Sequence, residues 1–446
     1  MKIPEKAPKL NDIINKFGYA EVFKPFSDSS VDMKKVIDDY DYWTEFKQKN
    51  YGMNPEFVWA RRELEALTNR KYLPFSDKDG DKFSFWLPPK TQAPLHFIDR
   101  DALSFPILDM RNEAEKAKYL IASIVEEAIA SSQIEGAATT RRIAKKMLAA
   151  NRMPKNKSEW MIYNNYHAIN HIKEIDCKNP LSNDMLLKLH KMLTENTFED
   201  KEKDSIGRFR LPVQDDDIGV YDIDGNLLYM PYPAAQVPAE IEKLIAFANA
   251  THDGVQNEFI HPVIKAIILH FWIPCIHPFV DGNGRTARAL FYWFLLKSGY
   301  WIFEYISISK LVLKMSGQYK KSFLYSECSH NDITYFILFN LNIIEKSIKD
   351  VIDLMNKKEA QARKNRFISD KYPRLNFRQR DILINAIKNP NKEYEIALHR
   401  GLHRIGYATA RADFIGLVSL GLMESRLVGK KSIFIPAKNI LSKLQT

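Results

Sequence analysis

The sequence predicts a mainly α protein with one small β-hairpin in its body, and three observations lead there. Long stretches carry apolar residues at spacings of three and four, as a helix with one buried face requires. Only one place in the first 350 residues reads as a pair of short strands about a glycine-containing connection. No internal repeat is visible, and a chain of this length should fold as two to four domains.

Taken in order, residues 1–105 mix short helical stretches with Pro and Gly punctuation at 77–82 and 87–90, and are expected to pack on the body. From Asn112 to Ile134 the chain reads as one helix, with Leu120, Ile124, Val125 and Ala128 on one face and Gly136 as its stop. Helices are expected over Ser158–Ile175 and Asp184–Glu195. Ile218, Gly219, Val220 and Tyr221 then face Leu227, Leu228, Tyr229 and Met230 across a hairpin. Helices resume at Pro238–Ala250, His261–Ile276, Arg285–Ser298 and Thr334–Leu354. The polar stretch from Lys357 to Pro373 reads as a linker. These elements divide the chain into an N-terminal region (1–105), a body (106–355), a linker (356–373) and a tail domain (374–446).

Composition narrows the function classes. At 45% hydrophobic residues the 446-residue chain can bury a large core. Its three cysteines, Cys177, Cys275 and Cys328, form no CxxC pair, which argues against a disulfide framework or a cysteine zinc site. The N-terminus lacks a signal-peptide core, and the apolar run Val263–Ile276 is too short to span a bilayer and contains Lys265. A cytoplasmic protein without membrane contact is the expectation. From Asn356 to Thr446 there are 19 Lys and Arg against 7 Asp and Glu, while the rest of the chain is nearly neutral. That excess suits an anionic partner for the tail or a solvated basic surface.

Chemistry concentrates in His277-Pro-Phe-Val-Asp281-Gly-Asn283-Gly-Arg285-Thr-Ala-Arg288. A two-glycine loop opening a helix lets backbone N–H groups and the helix dipole face an anion. Arg285 and Arg288 lie three apart on one helix face, and paired guanidinium forks match a polyphosphate. Asp281 offers the hard oxygen that Mg²⁺ on phosphates takes. His277, with an ordinary pKa of about 6.5, suits proton abstraction near neutrality. Each piece alone has a bland reading as a structural histidine, a turn or a solvated arginine pair. Together they resemble the Fic family signature HPFx[D/E]GNGRxxR at every specified position. No Walker or kinase motif set is present.

The resemblance, over roughly residues 112–345, implies a protein adenylyltransferase that moves AMP from ATP to a Ser, Thr or Tyr hydroxyl of a target protein. It implies His277 as general base and Asp281 as the ligand of Mg²⁺ bridging the α- and β-phosphates. Gly282, Asn283 and Gly284 become the anion nest, Arg285 and Arg288 the clamps on the β- and γ-phosphates, and Phe279 a core anchor. It makes the 218–230 hairpin a flap that docks the target by strand addition. His261 and His270 are expected to be structural. Ser131-Ser-Gln-Ile-Glu135-Gly136 resembles the family's inhibitory motif [S/T]xxxE[G/N], in which Glu135 would pair with Arg288 and hold the γ-phosphate position. The same glutamate could instead serve the reverse reaction, AMP removal. A nucleotide-sensing core with DNA binding as its output is a further alternative, and a homodimer is compatible with the sequence.

In the tail, helices are expected at Phe377–Lys388, Glu395–His403 and Ala408–Leu420, followed by strands Leu422–Leu427 and Ser432–Ile435. That order resembles a winged helix-turn-helix, with Thr409 and Arg411 opening the recognition helix and Lys430 and Lys431 tipping the wing. Such a module takes DNA or a protein. Asp413, two residues after Arg411, is expected to pair with it locally.

Overall fold

The computed structural model describes residues 3–24, 31–102, 113–174, 176–215, 218–221, 224–428 and 431–438. They form two compact units, Met1–Val351 and Ile352–Thr446. Both are helical with small antiparallel sheets.

The first unit is built on two helices. Pro262–Ile276 carries apolar residues on every side, with Lys265 and His270 as exceptions, and all its residues but two are buried, so it runs through the centre of the core. It packs against Asn283–Lys297, whose first twelve residues other than Gly284 are also buried. Glu113–Ile134 and Lys157–Glu174 close one side. The first of these is anchored by Glu127. Its buried carboxylate accepts from the Tyr292 hydroxyl at 2.8 Å, from Ser307 Oγ and the Ser309 N–H at 3.0 Å each, and from Ser309 Oγ.

The N-terminal region does pack on this body. Trp43, Phe46, Val58, Trp59 and Trp86 share a core with Cys328 and Tyr335. It also holds a strand pair absent from the sequence expectations, Lys71–Ser76 with Lys82–Phe85. Phe75 from that hairpin stacks on Trp272 of the central helix with ring centroids 3.9 Å apart.

The second strand pair, Val220–Tyr221 with Leu227–Tyr229, is the expected hairpin, shorter by Ile218, Gly219 and Met230. Residues 222–223 lie outside the described residues. The helix expected to stop at Leu354 runs from Thr334 to Lys371, so the polar stretch read as a linker is helical for most of its length. Lys, Glu, Ala, Gln and Arg dominate it, all good helix formers, and no Gly or Pro intervenes before Pro373.

In the second unit, helices Phe377–Lys388, Ile396–His403 and Tyr407–Ser419 precede strands Met423–Val428 and Lys431–Pro436. The last strand also pairs with Tyr394–Glu395, giving a three-stranded sheet. Leu383, Phe414, Leu417, Leu422 and Phe434 fill the space beneath. Asp413 does not pair with Arg411. Its buried carboxylate accepts from Arg378 Nε at 2.7 Å, His399 Nε2 at 3.0 Å and Asn376 Nδ2 at 2.8 Å. Helical periodicity explains the correction: two residues apart means roughly opposite faces, so Asp413 points inward while Arg411 is exposed.

Candidate functional site

The central helix ends at His277, which adopts a left-handed conformation (φ 51°, ψ 56°) and donates its N–H to the Ile273 carbonyl. Gly282 is left-handed too (φ 91°), and the next helix starts at Asn283. Between them the loop is held from inside. Asn283 Oδ1 accepts from the Phe279 N–H at 3.0 Å and its Nδ2 donates to the Phe279 carbonyl at 2.8 Å. The Asn283 side chain is therefore a loop clasp, and its contribution to an anion nest is confined to the backbone.

Two residues that sequence reasoning missed support the loop from below. His190 lies flat on Phe279, with centroids 3.7 Å apart and planes 2° apart. Its Nδ1 accepts from the Gly207 N–H at 3.1 Å, so its Nε2 carries the proton and donates to the Asp281 carbonyl at 2.9 Å. Burial depresses its pKa to about 4, which keeps that tautomer neutral. Arg210 is 2% exposed and donates to four carbonyls, those of His277 and Tyr232 at 2.6 Å, Asp215 at 3.2 Å and Ile276 at 3.3 Å. It ties the His277 turn to the chain leading into the hairpin. Gly282 is required by its neighbours as well as by φ, since a Cβ there would lie 2.6 Å from Thr194 Cγ2.

His277 is largely buried, and burial, helped by the nearby Arg210 cation, lowers its pKa to about 4. At neutral pH the ring is therefore uncharged and able to accept a proton. Asp281 is half-exposed. Its carboxylate accepts from the Gly282 N–H at 2.5 Å and from Arg285 Nη2 at 3.2 Å, leaving coordination capacity toward solvent. Among the described residues no cluster of three or more His, Cys, Asp or Glu could hold a metal. A single exposed carboxylate fits an ion bound mainly by the phosphates of a nucleotide.

Arg285 and Arg288 do not lie side by side. Arg285 is wholly buried, donating to the Leu193 carbonyl at 2.9 Å and to Asp281. Arg288 reaches the other way, to the end of Glu113–Ile134. Its Nε donates to Ser131 Oγ at 2.8 Å, and its Nη2 donates to the Ser131 carbonyl and to Glu135 Oε1 at 2.9 Å each. Glu135 Oε1 also sits against Gly284, where any Cβ would collide with it. The carboxylate thus occupies the N-terminal end of the Asn283–Lys297 helix, where the first N–H groups lack helical acceptors. Gly136, left-handed at φ 91°, ends the segment that delivers it.

The hairpin is tied to the same neighbourhood by the Tyr229 hydroxyl, which donates to the Cys275 carbonyl at 3.1 Å. Tyr221 and Leu227 are exposed, and each of its two strands keeps one edge unpaired among the described residues. His261 caps the central helix, with Nδ1 accepting from the Val263 N–H at 3.2 Å, and its Nε2 meets Asp99 at 2.9 Å. In the second unit Thr409 and Arg411 are exposed, and Lys431 lies 3.6 Å from Glu395. Lys430 lies outside the described residues.

The segment that carries the loop is similar to known proteins. Residues 180–295 match the Fic/DOC family, and that segment contains the whole loop. A protein adenylyltransferase Fic from Nematostella vectensis is 30% identical over 115 residues, covering 25% of this chain and 25% of that protein. One from Drosophila mojavensis is 49% identical over 75 residues, covering 17% of this chain and 15% of the relative. Similarity to these curated relatives therefore spans a quarter of their length or less. The solved structure of Fic-1 (residues 134–508) from C. elegans superposes with a TM-score of 0.50 at 17% identity, covering 79% of this chain and 90% of that one. Residues 180–295, which hold the loop, are thus similar to the Fic/DOC family.

Proposed function

We propose that this Fic/DOC domain is a protein adenylyltransferase, transferring AMP from ATP to a protein hydroxyl and held in check by Glu135. The observation that carries the reading is the Arg288–Glu135 pair seated against Gly284, one loop away from an uncharged His277. A carboxylate bonded to a buried guanidinium at a helix N-terminus is a stand-in for a phosphate oxygen.

The target hydroxyl oxygen attacks the α-phosphorus and its proton passes to His277. The bond from the α-phosphorus to the oxygen bridging to the β-phosphate breaks, and pyrophosphate leaves with the electron pair. Negative charge from bound triphosphate raises the His277 pKa from its depressed value, toward the range where a base works best. Asp281 would hold Mg²⁺, which supplies neutralisation of charge on the phosphates. Arg288, once released by Glu135, clamps the γ-phosphate. Arg285 orients Asp281 from within the core, which is a different role from a direct phosphate clamp. The unpaired edge of the hairpin is suited to take a target segment as an added strand, reading main chain and not sequence.

The second unit supports a winged-helix reading, since three helices precede a hairpin joined by a third short strand. With its positive charge and its exposed Thr409 and Arg411, we assign it a nucleic-acid contact.

The test is label transfer. ATP labelled at the α-phosphate should label protein, ATP labelled at the γ-phosphate should not, and His277→Ala should abolish labelling. A His277→Ala protein that labels as well as its parent removes this reading. AMP release from a premodified target by the unmutated chain would assign the reverse reaction instead.

A further inference from the structure

The hydrogen bonds around Arg288 leave one side of its guanidinium unaccounted for. Nε and Nη2 are engaged by Ser131 and Glu135, whereas Nη1 is buried and makes no hydrogen bond of normal geometry. A cation only 4% exposed with an idle arm is costly, because those N–H groups have lost water and gained nothing. The group beside it is Tyr319, on the Ser316–Cys328 helix, whose hydroxyl feels the Arg288 charge. That hydroxyl is 2.9 Å from His270 Nε2, and both residues are buried.

The proton arrangement follows from the donor inventory. Arginine only donates, so in a bond between the two the tyrosine oxygen is the acceptor, and the tyrosine proton is then available to His270 Nε2. A neutral His270 allows this; burial, with the Arg288 charge adding to it, holds its pKa down near 3. The ring of Tyr319 is fixed independently by Phe323, Phe336 and Phe339, at centroid distances of 5.3, 6.1 and 6.0 Å.

We propose that Tyr319, backed by His270, is the positioning residue that holds Arg288 toward the nucleotide once Glu135 has left. In the inhibited arrangement the guanidinium is drawn to Ser131 and Glu135, and Nη1 lies beside the Tyr319 hydroxyl without a bond of normal geometry. When Glu135 departs, the Tyr319 oxygen takes Nη1 and the freed arm of Nη2 faces the γ-phosphate. The two anchors thus set alternative attitudes of one cation. This inference rests on the reading of Arg288 as the γ-phosphate clamp. It goes beyond that reading by assigning the discrimination between ATP and ADP to a hydroxyl on a separate helix.

The experiment is calorimetric titration with ATP and with ADP, each with Mg²⁺, in a Glu135→Gly, His277→Ala background that cannot turn over. Adding Tyr319→Phe keeps the ring and removes only the hydroxyl. ATP affinity should fall roughly tenfold, the loss of one hydrogen bond to a charged group, while ADP affinity stays within about twofold. His270→Phe, which deprives the hydroxyl of its acceptor, should act in the same direction and serves if Tyr319→Phe folds poorly. Unchanged ATP affinity, or equal losses for ATP and ADP, would overturn the proposal. Failure of the parent background to bind either nucleotide would instead bring down the nucleotide-site reading on which it stands.

Discussion

Three histidines around the loop, His190 and His270 buried and His277 largely so, have pKa values lowered to about 4, 3 and 4, mainly by burial. Unfolding returns each to about 6.5, so the unfolded chain binds more protons than the folded one below that pH. Their contribution to stability is complete above about 6.5 and is lost as pH falls through about 4. Glu327 works the other way, since burial lifts its pKa to about 8, but it is one group against three. Midpoints of urea unfolding should therefore drop between pH 6.5 and pH 4.5, and a flat profile over that range would contradict the buried neutral assignments. Asp281 gives a second prediction at this scale. Asp281→Asn keeps the size and the Gly282 hydrogen bond but removes the charge available to Mg²⁺. Labelling should fall by more than tenfold, with partial recovery as Mg²⁺ is raised.

At the scale of elements, the loop and its two helices were legible because their information is contiguous. Twelve adjacent residues hold the base, the carboxylate, the glycines and the arginines, and a helix before them that is apolar except for Lys265 and His270 announces a buried centre. The supports were not legible. His190, Arg210 and Tyr319 come from distant parts of the chain, and nothing local distinguishes them from ordinary core or surface residues. The same limit hid the course of Arg285 and Arg288: periodicity placed their Cβ atoms on one face, while long side chains let the guanidinium groups diverge. The strand pair at 71–85 was missed because Pro74 interrupts a short strand that reads weakly by itself. Gly282→Ala tests the element directly. A left-handed φ costs alanine about 1–2 kcal/mol, and the Thr194 contact adds to it. Thermal unfolding should shift down and labelling should be lost, whereas Gly299→Ala, with φ 87° but open space around it, should shift stability alone.

Over the whole molecule, a neutral unit carrying the loop is joined in one chain to a basic unit with an exposed Arg411. Charge asymmetry was readable from composition alone, and so was the helical order of the tail. The continuation of Thr334–Lys371 through the polar stretch was not, because charged helix formers look like a solvated linker when no apolar stripe marks them. Duplex DNA binding by the intact chain should weaken steeply between about 50 and 200 mM salt, and Arg411→Ala should reduce affinity further. Binding that ignores salt would remove nucleic acid as the partner of this unit.

The most direct test of the central claim compares the unmutated chain with Glu135→Gly, using ATP labelled at the α-phosphate. Freeing Arg288 from a charge-assisted hydrogen bond should raise protein labelling about ten- to a hundredfold. Equal labelling by the two proteins would show that Glu135 restrains nothing.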